Sequence, residues 1–376
     1  MLCFLEMEIV FLFQLYGNVV GASPAIQYRE GGFPMKKLLA LILCAVLMLG
    51  VAATSLAVNE DVEGKVMIYT SMYQFVIDMM DEALAQEFPN LDVEFFYGGT
   101  GSLQTKLAGE METGTLGCDM MLVAEPAYSL ELKEGGWLEP MEADGEKLRF
   151  AYDEEGYWYP VRVCNMVLAY NPEKYSAEEL PNSFYDFAND ESVKGMISMG
   201  NPLTSGTTMA AAAALSDKYG YDYFKALGSN GVMIESGSTA LAKLQTGECK
   251  LVMILEESVL KVRKEEGSQL ACIYPTDGNI MIPSTVMTVA EDRSANMNIE
   301  ACQAITDWLL SEAGQKYVLE GYMHSVFAGM KDVPYDSIDT DGLIATDMGV
   351  DWVRCYTQRE EIRTQFQENV TIPEKK

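Results

Sequence analysis

Apolar and polar positions follow two rhythms that alternate along most of the chain. Lys65-Val66-Met67-Ile68-Tyr69-Thr70-Ser71 is a short apolar run closing on small polar residues, the pattern of a buried strand. From Gln74 to Phe88 the spacing of Phe75, Ile77, Met80, Leu84 and Phe88 turns helical, and Pro89-Asn90 ends it. Leu91 to Tyr97 alternates as a strand, and Leu103 to Thr113 reads as a helix after the turn Gly98-Gly99-Thr100-Gly101-Ser102. Asp119 to Ala124 is a third strand, with a helix running on to Gly135-Gly136. Extended segments are then expected at Val161–Tyr170, Lys194–Met199, Leu251–Leu255 and Ile280–Ala290. Helices are expected at Asn182–Asp190, Met209–Leu215, Thr239–Thr246, Val259–Glu266, Ile299–Leu310 and over residues 351–367. Short strands alternating with helices predict an α/β sheet with both faces covered.

The N-terminal region departs from this rhythm. Met35-Lys36-Lys37 precedes an apolar stretch from Leu38 to Gly50, then the small residues Val51 to Ala57. A basic start, an apolar middle and an A-x-A-like end make a secretory signal over residues 35–57, with cleavage near Ala57. The alternative is an uncleaved anchor, although the stretch is barely long enough to span a bilayer. Cys44 follows Leu43 within the apolar run, which excludes a lipoprotein signal. Residues 1–34 lack such order, and Glu30-Gly31-Gly32 is encodable by a ribosome-binding GGAGG string just ahead of the Met35 codon. Met35 is therefore the expected start and 1–34 a mis-annotated leader, the alternative being a true extension. The protein is expected in the periplasm or at the cell surface.

Composition narrows the function. Of 376 residues 49% are apolar and 22% charged, which excludes a disordered or collagen-like chain and suits two domains. There are 56 acidic residues against 26 Lys and Arg, a net charge of −30. Residues 1–57 hold equal numbers of acids and bases, so cleavage leaves that charge intact. Binding to nucleic acid or an anionic membrane surface is excluded on charge. His324 is the single histidine, so no His-rich metal site exists and any histidine triad must be built on it. No phosphate-binding P-loop, dinucleotide fingerprint or nucleophile elbow is present, and the reading is a non-enzyme without cofactors. Six cysteines follow the cleavage point, none in a C-x-x-C pair; Cys249 and Cys272 could bridge in an exported protein, while the others read as small buried residues. The methionines, Met79-Met80 and Met120-Met121 included, are too dispersed for a copper site and read as core.

Several segments carry a family likeness in order along the chain. They are Val66 to Ser71, Tyr97-Gly98-Gly99-Thr100-Gly101-Ser102, Gly136-Trp137-Leu138-Glu139-Pro140 and Ala169-Tyr170-Asn171-Pro172. Gly200-Asn201-Pro202 with Ser205-Gly206-Thr207, and Asp307 to Gln315, complete the set. Together they resemble the extracellular solute-binding proteins of ATP-binding-cassette (ABC) importers, in the branch with the ferric-iron and organophosphate receptors. The resemblance implies a two-lobed periplasmic-binding-protein fold of type II character with a hinge of two crossing strands. Lobe one would hold residues 64–162 and 283–335, lobe two residues 166–282. It also implies a monomer that closes on a ligand and meets an inner-membrane permease with its ATPase.

The expected ligand follows from helix starts. A helix N-terminus offers free N–H groups and partial positive charge, and so favours anions. Gly99-Thr100-Gly101-Ser102, Thr204-Ser205-Gly206-Thr207 and Ser236-Gly237-Ser238 each precede a helix, where ordinary capping by Ser or Thr is the competing explanation. Thr70, Ser71 and Tyr73 lie at the likeness's first ligand loop, and Arg162 before the hinge strand is a candidate partner for phosphate or carboxylate. Ferric receptors of the branch resemble one another in a tyrosine pair where this chain reads Leu255-Glu256-Glu257-Ser258. Glu256, and similarly Glu125, instead suits hydroxyls or an amine at the far end of a ligand. The expected ligand is a sugar phosphate, organophosphate or phosphonate. Ferric iron held by Tyr69, Tyr73, Glu256 and Glu257 is the alternative, and a ligand-sensing subunit for a membrane signalling partner is a second.

Overall fold

The structure, a computed structural model, describes residues 59–371. The expected leader, signal segment and cleavage point lie outside the described residues. The chain begins with β1 (Glu63–Thr70), α1 (Gln74–Glu87), β2 (Asn90–Tyr97), α2 (Thr100–Met111), β3 (Met120–Ala124), α3 (Pro126–Glu134) and β4 (Leu138–Glu139). The long β5 (Tyr159–Tyr170) leads to α4 (Phe184–Asn189), β6 (Ile197–Met199), α5 (Gly206–Tyr219), α6 (Asp222–Ser229) and β7 (Met233–Ile234). Next come α7 (Gly237–Thr246), β8 (Leu251–Leu255), α8 (Glu256–Glu266) and β9 (Ala271–Ile273). The second long strand, β10 (Ile280–Val289), returns to α9 (Ile299–Leu309) and α10 (Glu312–Glu320), and α11 (Thr340–Ala345), α12 (Trp352–Thr357) and α13 (Arg359–Phe366) finish the chain.

Strand order explains the two lobes. The sheet runs β2-β1-β3-β10-β5-β8-β6-β7, with β4 beside β10 and β9 beside β5. β2, β1 and β3 are parallel on one side, and β8, β6 and β7 are parallel on the other. Between them β5 and β10 pair antiparallel with each other and with their outer neighbours. Each long strand thus serves one lobe with one end and the other lobe with the other end. Both are buried along their length except at Tyr170, which is why they read as continuous apolar runs. Their register slips at Ser284/Thr285, where Val161 is the extra residue between Pro160 and Arg162. The Val161 carbonyl accepts instead from Gln315 Nε2 at 2.8 Å. A bulge of this kind bends a strand and re-aims its next side chain, here Arg162.

Three expectations change. The helix expected over residues 351–367 is two short helices that break at Gln358. α5 begins at Gly206 and α8 at Glu256, three residues before the apolar pattern suggested. Cys249 and Cys272 are free, as are the other described cysteines. The last two helices strap the lobes: Arg359 pairs with Glu131 of α3, Arg354 donates to the Ala213 carbonyl of α5 at 2.8 Å, and Phe366 packs edge-on against Phe224 of α6.

Candidate ligand cleft

Four helices of eight or more residues, α2, α5, α7 and α8, start at the seam between the lobes. At the seam the loops already touch. The Gly101 N–H donates to the Thr204 carbonyl at 3.2 Å. A side chain at Gly101 would stand 2.7 Å from the Leu203 carbonyl, and one at Gly206 would stand 2.8 Å from Thr100 Oγ1. Glycine fits both positions because the opposite lobe occupies that space, with backbone at Gly101 and chiefly the Thr100 side chain at Gly206. Tyr73 and Ser258 add a hydroxyl–hydroxyl contact at 2.9 Å between the lobes.

Behind this closure lies a cleft in two chambers. The larger, of about 410 Å³, is bordered by Asn201, Thr204, Glu235, Ser236 and Ser258. The smaller, of about 210 Å³, is bordered by Ser71, Tyr97, Gly99, Thr100, Arg162, Cys164, Gly206 and Glu257. Tyr73, Thr204, Ser205, Thr207 and Leu255 border both.

Arg162 sets the electrostatics of the smaller chamber. It is 2% exposed, and among the described residues it forms no ion pair. Nη1 donates to the thioether of Met323 at 2.7 Å, a weak acceptor, and Nε has no partner. A buried guanidinium without a carboxylate is costly unless an anion arrives. Glu257 borders the same chamber, 1% exposed, with Oε1 unpartnered. Burial pushes its carboxyl up to about 7, against the pull of Arg162 and a hydrogen bond from the Cys164 thiol. Burial likewise holds the Tyr73 hydroxyl above its usual range, with the Glu257 charge adding to it.

Ten of the residues singled out from sequence border the cleft: Ser71, Tyr73, Gly99, Thr100, Arg162, Thr204, Ser205, Gly206, Thr207 and Ser236. Ser205 and Ser236 also cap their helices, accepting from Thr208 N and Thr239 N, each at 3.3 Å. Others lie elsewhere. Thr70 is spent on the Leu122 carbonyl at 3.0 Å, and Ser102 and Ser238 are exposed outside the chambers. Gly101 serves the closing contact rather than the walls.

The glutamates need correction. Glu256 does not reach the cleft. Its Oε2 accepts from His324 Nε2 at 2.9 Å and Asn165 Nδ2 at 3.3 Å, and its Oε1 from Tyr274 at 2.6 Å and from Ser337. His324 Nδ1 meets Thr340 Oγ1 at 2.9 Å, so the one histidine is structural here. Glu125 also points away. It sits at φ 73°, ahead of Pro126, and faces Arg359 Nη2 at 3.8 Å. Burial pushes its carboxyl up to about 8, against Arg359 and the N–H groups of Ala127 and Tyr128. The four iron donors are not gathered: Tyr69 donates to Glu110 at 3.0 Å inside the first lobe and Glu256 is internal, leaving Tyr73 and Glu257 at the cleft. Among the described residues no cluster of three His, Cys, Asp or Glu suits a metal ion.

Sequence reading missed Cys164 and Glu235, held Asn201 only within a family motif, and placed Glu257 only among iron donors. The signal for Cys164 was present, since it stands two residues beyond Arg162 in a strand and so shares its face.

Two α/β lobes, a crossing strand pair and a polar cleft between them define a two-lobed solute-binding protein. The chain belongs to the bacterial extracellular solute-binding protein family, whose model matches residues 132–338. No curated protein matches it in sequence. Solved structures share the fold at low identity. Iron-bound HitA from Pseudomonas aeruginosa is 19% identical with a TM-score of 0.69, over 81% of this chain and 99% of that one. The periplasmic binding protein AfuA from Actinobacillus pleuropneumoniae, with exogenous fructose-6-phosphate bound, is 19% identical with a TM-score of 0.69, over 82% and 99%. A substrate-binding protein of an ABC transporter from Agrobacterium tumefaciens is 16% identical with a TM-score of 0.69, over 82% and 96%. Among the described residues no helix is long and apolar enough to cross a membrane.

Proposed function

We propose that this solute-binding protein is the exported receptor of an ABC importer and captures a small phosphate- or phosphonate-bearing molecule. The observation that carries the reading is Arg162: buried, without a carboxylate partner, and facing a chamber ringed by helix starts. The ligand's anion takes the Arg162 guanidinium and hydroxyls of Ser71, Thr100, Ser205 and Thr207, while the rest extends toward the larger chamber. The lobes, bounded at 64–162 with 283–335 and at 166–282, close about β5 and β10 and present the closed face to a permease with its ATPase. The protein works as a monomer, binds no nucleic acid and performs no chemistry on its cargo. AfuA, the sugar-phosphate-bound relative in fold, supports this class of ligand. HitA keeps ferric iron in the comparison, although here only Tyr73 and Glu257 of the expected donors face the cleft.

Thermal unfolding against hexose phosphates, phosphoglycerate, aminoethylphosphonate, inorganic phosphate and ferric citrate tests the reading. A ligand at a hundred times its Kd stabilises by ~2.7 kcal/mol, a shift of several degrees. The expected result is a shift with an organophosphate or phosphonate that Arg162→Met abolishes. A shift with ferric citrate alone would overturn the anion reading.

A further inference from the structure

The geometry points to a zwitterionic ligand: its anionic group takes Arg162, and a protonated amine a few bonds away takes Glu257. This rests on the anion-receptor reading and adds the second charge to it. Arg162 comes from the bulged hinge strand β5 and Glu257 from the first turn of α8, so each lobe contributes one charged wall to a single chamber of about 210 Å³. Both side chains are buried, no ion pair joins them, and each keeps an orphaned polar atom, Nε on Arg162 and Oε1 on Glu257.

Opposite charges left apart on the walls of one chamber have a common solution in one ligand that carries both complements. A bare anion satisfies only one wall, because the charge that answers Arg162 repels an ionised Glu257. It binds well only after Glu257 takes up a proton. A zwitterion needs Glu257 ionised and leaves the chamber neutral. The chamber, about 210 Å³, is about half the size of the larger one, so the two charges belong on a compact core, with any further length directed into the larger chamber. Other titratable or charged groups facing Glu257 are Cys164 on β5, Tyr73 after β1 and Glu256 on its own helix. Burial and the Glu257 charge raise both Tyr73 and Cys164, so they stay neutral and supply hydroxyl and thiol donors.

The test uses matched pairs. Aminomethyl-, 2-aminoethyl- and 3-aminopropylphosphonate are each titrated calorimetrically into the purified protein beside the counterpart that lacks the amine. Inorganic phosphate serves as the bare anion. The expected result is that at least one aminophosphonate binds about tenfold to a hundredfold more tightly than its des-amino counterpart. Glu257→Gln should erase that preference while leaving the des-amino compound's affinity unchanged or improved. Relative to that variant, wild-type affinity for the aminophosphonate should rise as pH passes upward through 7. Equal affinity within every pair, or tighter binding of the des-amino compound, would overturn the zwitterion inference and leave the anion reading standing. No binding of any phosphonate, with Arg162→Met indifferent to hexose phosphates as well, would overturn both.

Discussion

Glu256 and Glu257 are neighbours in sequence and in the first turn of one helix, both 1% exposed, yet their surroundings are opposites. Glu256 has four donors, His324, Asn165, Tyr274 and Ser337, shared between its two oxygens. Burial pushes its carboxyl up, but His324, Ser337 and Tyr274 outweigh this and hold it below the usual range. Glu257 has one unpartnered oxygen, faces a cavity and is pushed up to about 7. A buried carboxylate that the protein itself satisfies is part of the architecture. One that it leaves short of partners at a cavity wall is available to a ligand.

Removing the satisfied carboxylate should do the greatest harm. Glu256→Ala leaves the buried His324 and Asn165 and the half-buried Tyr274 and Ser337 without their acceptor, and the expected loss is about 3–5 kcal/mol in urea unfolding. Because the Glu256 carboxyl is depressed, its contribution is present above 4.5 and lost as pH falls through its folded value. A loss below about 1 kcal/mol would show that the network does not hold α8 to the segment bearing His324, and the contrast would collapse.

Glu257 carries the opposite sign. A carboxyl raised from 4.5 to about 7 contributes stability in full below 4.5, and this drains away as pH rises through 7. The span is on the order of 3 kcal/mol between pH 5 and 8 without ligand. Glu257→Gln should about halve the fall below pH 7, leaving the part that Glu125 contributes from 4.5 up to about 8. A wild-type midpoint that instead climbs steadily from pH 5 to 8 would refute the assignment.

Glu125 stands between the two cases, with Arg359 nearby and Oε2 still orphaned. Arg359→Met removes that cation and the strap's pair with Glu131. Glu125 can respond by keeping its proton, which limits the cost to about 2 kcal/mol at pH 8 and less at pH 6. Equal losses at both pH values would place the effect in the Glu131 pair and the strap rather than in Glu125.

The sequence made the crossing strands legible because β5 and β10 are buried on both faces and read as unbroken apolar runs. Arg162 was legible because it interrupts such a run. The roles of the two glutamates were not. The apolar pattern begins at Val259, so Glu256 and Glu257 read as loop, where neither has a defined face. The helix begins at Glu256, and adjacent residues on a helix point about 100° apart. The partner that claims Glu256 is His324, 68 positions away, brought close by a bridge between Val163 and the His324 backbone. No local periodicity encodes that meeting. The strap was missed for a related reason: Gln358 splits the expected helix, and only the assembled lobes show what its two halves touch.

The smallest predicted effect concerns the seam over the chamber rather than its walls. Tyr73→Phe keeps the ring and deletes the hydroxyl contact to Ser258, one of the links between lobes. A hydrogen bond of this kind is worth about 1 kcal/mol net, which would shift the balance of closed and open forms about fivefold. Ligand-free protein should then scatter X-rays with a larger radius of gyration, and ligand should restore the wild-type value. Glycine positions carry the rest of the closure, since Gly101 lets backbone meet backbone across the seam and Gly206 leaves room for the Thr100 side chain. If Tyr73→Phe leaves the radius unchanged, those backbone contacts hold the lobes by themselves. The Tyr73–Ser258 contact would then add nothing measurable to closure.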